Sequence, residues 1–141
     1  MNEIKFNLPV LISRWHVTYK PLPFSGKKRF KHFLATDLLQ KDTSFSEDDY
    51  QRYSQKKYSY TIPVEMNYDI EKNGHEILRH HYMYKKKSWS FPTIENVDKY
   101  HIYLPYSITY RNDEYILHEE ASGLSRKLKK SDEIYKLIIR G

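Results

Sequence analysis

Three histidines, His75, His80 and His81, crowd the stretch NGHEILRHHYMYKKK. Imidazole binds zinc readily and exchanges a proton near neutral pH. A zinc-protease helix needs His-Glu-x-x-His, which sets two rings one turn apart on one face. Here the run is His75-Glu76-Ile77-Leu78-Arg79-His80, one residue too long. The surrounding pattern also reads as a strand, where His80 and His81 point to opposite faces. His75 and His81 then share a face but stand about 20 Å apart, too far to hold one ion. Two readings stay open. In the first, Glu65 opposite His81 and Glu71 opposite His75 are ordinary cross-strand polar pairs. In the second, either His81 with Glu65 or His75 with Glu71 contributes to a zinc site with ligands from elsewhere, giving a structural metalloprotein or a metal-dependent hydrolase or nuclease.

Other catalytic chemistry lacks its residues. The chain has no cysteine, hence no thiolate nucleophile, disulfide or thiolate metal cluster. Ser25-Gly26-Lys27-Lys28 lacks the glycine spacing of a phosphate-binding loop, and no Gly-x-Ser-x-Gly elbow occurs. With four glycines in all, no Gly-rich nucleotide cradle can be built. The expectation is a non-enzyme.

Charge is more informative. The 141 residues carry a net charge of +6, which favours anionic partners such as nucleic acid. The cations fall in four clusters: Lys27, Lys28, Arg29 and Lys31; Lys56 and Lys57; Lys85, Lys86 and Lys87; and Arg126, Lys127, Lys129 and Lys130. Phosphate binding needs cations that converge. Tyrosine, at 14 residues, suits both strands and recognition surfaces, although AT-rich codons would also enrich it.

The elements that position these groups follow from periodicity. Leu8, Leu11, Ile12, Trp15 and Tyr19 have helical spacing, with Asn7 as a cap, Pro9 in the first turn and Pro21 and Pro23 beyond the end. Short helices are expected after Thr36-Asp37 and after Ser46, whose Glu47, Asp48 and Asp49 suit a first turn. From Tyr58 to Ile70 the period becomes 2, with apolar or aromatic residues at every even position. Asn73-Gly74 then predicts a hairpin. A three-residue Lys72-Asn73-Gly74 loop is preferred, because it sets Val64 opposite Tyr82 and Glu65 opposite His81. That pairing would bring Lys56 and Lys57 together with Lys85, Lys86 and Lys87 beside Trp89. Lysines guarding a sheet edge are the competing explanation.

A second hairpin is predicted from the alternation Tyr100 to Tyr110. Asn112-Asp113 is its turn, with Tyr110 opposite Tyr115 and Ile108 opposite Leu117. LSRKLKK reads as a short helix, and EIYKLIIRG as a last strand, which its β-branched residues favour, or as a helix capped by Ser131. The fold class is therefore α+β in a single domain, 1–141. A twisted antiparallel sheet of four to five strands, built from two hairpins, would carry helices from the N-terminal half on one face. No stretch approaches the roughly 20 apolar residues of a membrane helix, and no signal peptide is read, so a bacterial cytoplasmic location is expected.

FLATDLLQKD, the segment IPVEMNYDIEKNGHEILRHHYMY and the Lys/Tyr-rich composition resemble small proteins of phages and integrative elements of low-GC Gram-positive bacteria. Some of these are anti-CRISPR inhibitors of the type II RNA-guided nuclease. The resemblance spans the first 85 residues or so and transfers no functional residue. It implies a non-catalytic partner of a nucleic acid or nucleoprotein such as a CRISPR effector complex. Because the chain is basic, the resemblance points to an acidic or nucleic-acid-bearing face of that complex, not to mimicry of DNA.

Overall fold

A computed structural model describes residues 3–140. Its frame is a curled antiparallel sheet of six strands. They are β1 (Glu3–Tyr19), β2 (Lys28–Asp37), β3 (Asp42–Ser46), β4 (Thr93–Arg111), β5 (Glu114–Glu119) and β6 (Leu124–Lys127). The order across the sheet is β3-β2-β1-β4-β5-β6. The α+β class and the antiparallel sheet stand as expected, but the strands number six and only one of the two expected hairpins forms.

The first correction concerns the N-terminal segment, which is the central strand β1 and not a helix. Its residues from Phe6 to Ser13 are buried without interruption. Phe6, Leu8, Val10 and Ile12 enter one core cluster with Ile62, Ile102, Leu104, Leu117 and Ile134. Leu11, Trp15 and Val17 enter a second cluster, with Leu34, Leu38, Ile70, Leu78 and Tyr82. A strand covered on both faces shows no alternation, and helical spacing can be picked from any such apolar run. Pro9 costs the β1–β2 ladder no donor, because that ladder starts only at Val10.

The second correction concerns the proposed first hairpin. Ile70–His80 is an α-helix, α1, and it continues into a π-helical turn over His81–Lys85. Asp69 caps it by accepting the Lys72 N–H at 3.1 Å. Glu71 lies in the first turn and Arg79 and His80 in the last, each matching the local pole of the helix dipole. Ile70, Gly74, Leu78 and Tyr82 recur every four residues and form the buried stripe against Trp15. Gly74 is no turn residue: a Cβ there would lie 2.2 Å from Trp15 Cζ2. The residue is glycine because the helix and the indole touch.

The alternating residues before α1 do run beside the sheet, but only Thr61 bridges it, in parallel, to Asn7. Asn7, read in the sequence as a helix cap, is fully buried and holds this segment. Its Nδ2 donates to the Tyr58 and Tyr60 carbonyls at 2.7 and 3.1 Å, and its Oδ1 accepts from the Lys57 and Tyr58 amides. Ile62 is thereby pinned into the first core cluster.

The second hairpin forms in the expected register, Tyr110 opposite Tyr115 and Ile108 opposite Leu117. Asn112 and Asp113 both have positive φ, 53° and 62°, as a type I′ turn requires. Smaller departures are consistent with backbone pairing overriding weak local signals. Thr36-Asp37 ends β2, LSRK is strand β6, and the Ser46–Asp49 cap leads only to a 3₁₀ turn at Gln51–Tyr53. The tail Tyr135–Arg140 is π-helical, so the helical alternative holds there over the strand. No helix among the described residues is long and apolar enough to cross a membrane.

Candidate functional site

The topology divides the four basic clusters. Lys57 pairs with Glu120 at 3.0 Å, and Lys56 lies over the Tyr103 ring at 5.2 Å. The Glu120 carboxylate also takes the Tyr58 hydroxyl. At the β6 edge, Arg126 pairs with Asp132 at 3.1 Å and Lys127 with Glu114 at 3.0 Å. The next lysine, Lys129, donates its backbone N–H to Asp132. Half of the six cations in these two regions are thus neutralised within the fold, while Lys56, Lys129 and Lys130 join no ion pair among the described residues.

Lys27 to Lys31 and Lys85 to Lys87 have a different fate. The loop holding Lys27 joins β1 to β2, with Tyr19 opposite Lys28. Lys85 to Lys87 leave the helical end beside the same strand termini. There the Trp89 N–H donates to the Lys20 carbonyl at 2.8 Å, and Thr93 of β4 pairs with Thr18 of β1. One rim therefore collects the end of β1, the starts of β2 and β4, and the end of the helical segment. Lys20, Lys27, Lys28, Arg29, Lys31, Lys85, Lys86 and Lys87 all belong to it, and none joins an ion pair among the described residues.

The expected union of Lys56 and Lys57 with Lys85 to Lys87 is thus overturned. Lys57 is tied to Asn7 and Lys87 lies near Lys20; thirteen residues of extended β1 separate these points, about 40 Å. The error follows from the missing hairpin, which alone would have joined them.

Aromatic rings rise from the same rim. Phe24 is fully exposed, Phe91 80 % and Trp89 65 %. Just behind them, Tyr19 packs against Phe30 and Tyr82, with ring centroids 5.7 and 4.7 Å apart. The Tyr82 hydroxyl is hydrogen-bonded to His32 Nε2, and Arg29 donates to His16 Nδ1. His32 and His81 rings lie 6.2 Å apart. Burial holds His32 below its ordinary pKa, helped by His81 and Lys86. The same cause, with Lys86, Lys85 and His80, lowers His81. Burial beside Tyr19 pushes the Tyr82 phenol up to about 12. At neutral pH these histidines sit uncharged beneath an unneutralised cation rim.

The metal alternative loses its geometry. Glu65 pairs with Lys41 at 3.0 Å instead of facing His81, and His75 stands edge-on to Trp15 at 5.2 Å. Among the described residues no three His, Asp or Glu side chains gather as a metal site would need. A cavity of about 950 Å³ lies elsewhere, between the β2–β3 turn and β6. Much of its polar lining is already engaged. Asp37 accepts the Leu39 and Gln40 amides, Asp132 the Lys129 amide, and Lys41 reaches Glu65.

Sequence reasoning missed Lys20, Phe24, Phe30, Phe91 and His32. The signal was present for two of them: phenylalanines next to proline, in Pro21-Leu22-Pro23-Phe24 and Phe91-Pro92, sit where no regular element can bury them. Comparison with protein-family models, with curated proteins and with solved structures returns no match for this chain.

Proposed function

We propose that this is a non-catalytic interaction protein that binds a nucleic acid or nucleoprotein through the rim of Lys20, Lys28, Arg29, Lys31 and Lys85 to Lys87. The observation that carries the reading is the split in the cations. Elsewhere eight of the sixteen cations pair with a carboxylate among the described residues, while none of the rim's eight does, which leaves the rim's charge for an external anion. A simple solubilising surface has no need to gather eight unpaired cations at one end of a sheet. The resemblance to mobile-element proteins makes an RNA- and DNA-bearing type II CRISPR effector the first partner to try, inhibition being the sharpest form of the reading. That partner sets the reading in the bacterial cytoplasm.

Charge reversal tests it. Lys85→Glu, Lys86→Glu and Lys87→Glu together should abolish most nucleic-acid binding and flatten its salt dependence. Lys56→Glu with Lys57→Glu should leave binding near wild type. Neutralising six phosphates gives a slope of log K against log salt of about −4 to −5. Salt-insensitive association, or equal loss from both sets of substitutions, would overturn the reading. A host pull-down with and without nuclease treatment then separates nucleic acid from protein as the contacted surface.

A further inference from the structure

Resting on the reading that the rim binds nucleic acid, we infer that its ligand is single-stranded. Bases would stack on Trp89, Phe91 and Phe24 while phosphates meet Lys20, Lys28, Lys85 and Lys86. The rings are exposed but not loose. Ser88, itself buried, donates its N–H to the Tyr82 carbonyl at 2.8 Å and its hydroxyl to the Ser90 carbonyl at 2.6 Å. The Trp89 N–H is fixed to Lys20, and Pro92 stiffens the chain after Phe91. Around Phe24, the Ser25 N–H and hydroxyl both donate to the Leu22 carbonyl, and the Ser25 oxygen accepts the Leu22 N–H. Prolines 21 and 23 restrict the same loop. Backbones tied this firmly hold the three rings out in water, where apolar area is costly unless a partner covers it.

A duplex cannot use such a platform without unstacking, because its base faces already cover one another. A single strand offers a free π-face at each nucleotide. Nor does α1 offer a reading head for a major groove. Gly74, Ile70 and Leu78 of α1 are packed against the sheet, and its open side mixes Glu71 and Glu76 with Lys72 and Arg79. The helix meets the rim with its C-terminal, carbonyl pole, which repels phosphate. Only the lysines beyond that pole can offset it.

The test uses the full chain with fluorescein-labelled dT20, U20 and a 20-base-pair duplex, read by anisotropy at fixed salt. The exposed Trp89 should be quenched on adding dT20, and single strands should bind at least tenfold tighter than duplex. Trp89→Ala and Phe91→Ala should each weaken single-strand binding roughly tenfold. Both should leave duplex binding and the thermal midpoint unchanged, since neither ring is packed in the core. Equal affinity for duplex and single strand, or no effect of the ring deletions, would overturn this inference while leaving a salt-dependent nucleic-acid protein. Absence of binding to all three probes would overturn the proposed function with it.

Discussion

Replacing Gly74 by alanine tests the central contact of the fold. An exposed glycine inside a helix gains about 1 kcal/mol from such a change, because alanine loses less backbone entropy. Here the new methyl would lie 2.2 Å from Trp15 Cζ2, 2.8 Å from Cη2 and 3.0 Å from Cε2. Ordinary carbon contacts need about 3.5 Å, so helix and indole must part by about 1 Å. The indole has little freedom to yield: it is fully buried, and its Nε1–H donates to Ser13 Oγ at 2.8 Å. Overpacking of this kind costs about 1–3 kcal/mol, and a clash on two ring atoms belongs at the upper end. Subtracting the propensity gain leaves a net loss of about 1–2 kcal/mol. Urea denaturation measures it directly. Trp15→Phe in the same chain removes the ring edge that clashes, so the double variant should be less unstable than the two single costs added, by about 1 kcal/mol or more. A hairpin turn at Asn73-Gly74 predicts no such coupling. Stabilisation by Gly74→Ala alone, or strict additivity with Trp15→Phe, would refute the packing argument.

Asn7→Ala would strand the Lys57 and Tyr58 amides and the Tyr58 carbonyl next to a fully buried site. With about 1–3 kcal/mol per unsatisfied buried group, a loss near 3 kcal/mol is expected in urea denaturation, with Ile62 and its segment the first to gain amide exchange. Protonation gives a separate handle. His32 and His81 both hold their protons less tightly when folded than at the ordinary value of about 6.5. In the window just below that value the unfolded chain binds more protons, so stability is complete above about pH 6.5 and declines as pH falls toward the folded values. The urea midpoint should therefore drop between pH 7.5 and 5.5, and His32→Gln with His81→Gln should flatten the drop. The same midpoint at both pH values in wild type would contradict the buried, uncharged state of the pair.

What could be read from the sequence was local. Tyr110, Asn112, Asp113 and Tyr115 specify their hairpin among themselves: the turn takes residues that tolerate positive φ, and the alternation fixes which side faces in. Where a residue's identity answers to a distant partner, the same signs mislead. Asn73-Gly74 looks like a hairpin turn, yet Gly74 is small because of Trp15. Leu8, Leu11, Ile12 and Trp15 look like one helical face, yet they serve two cores on opposite sides of one strand. The basic site divides along the same line. Each cluster is visible as a run of lysines and arginines, but whether a cation is free depends on the carboxylate that folding places beside it. Lys57 lies far along the chain from Glu120, and Arg126 reaches Asp132 only across the bend after β6. Lys85 and Lys28 acquire no such neighbour because the end of β1 carries few acids. Binding capacity in this chain is thus set less by where its positive residues occur than by where its carboxylates fail to follow them.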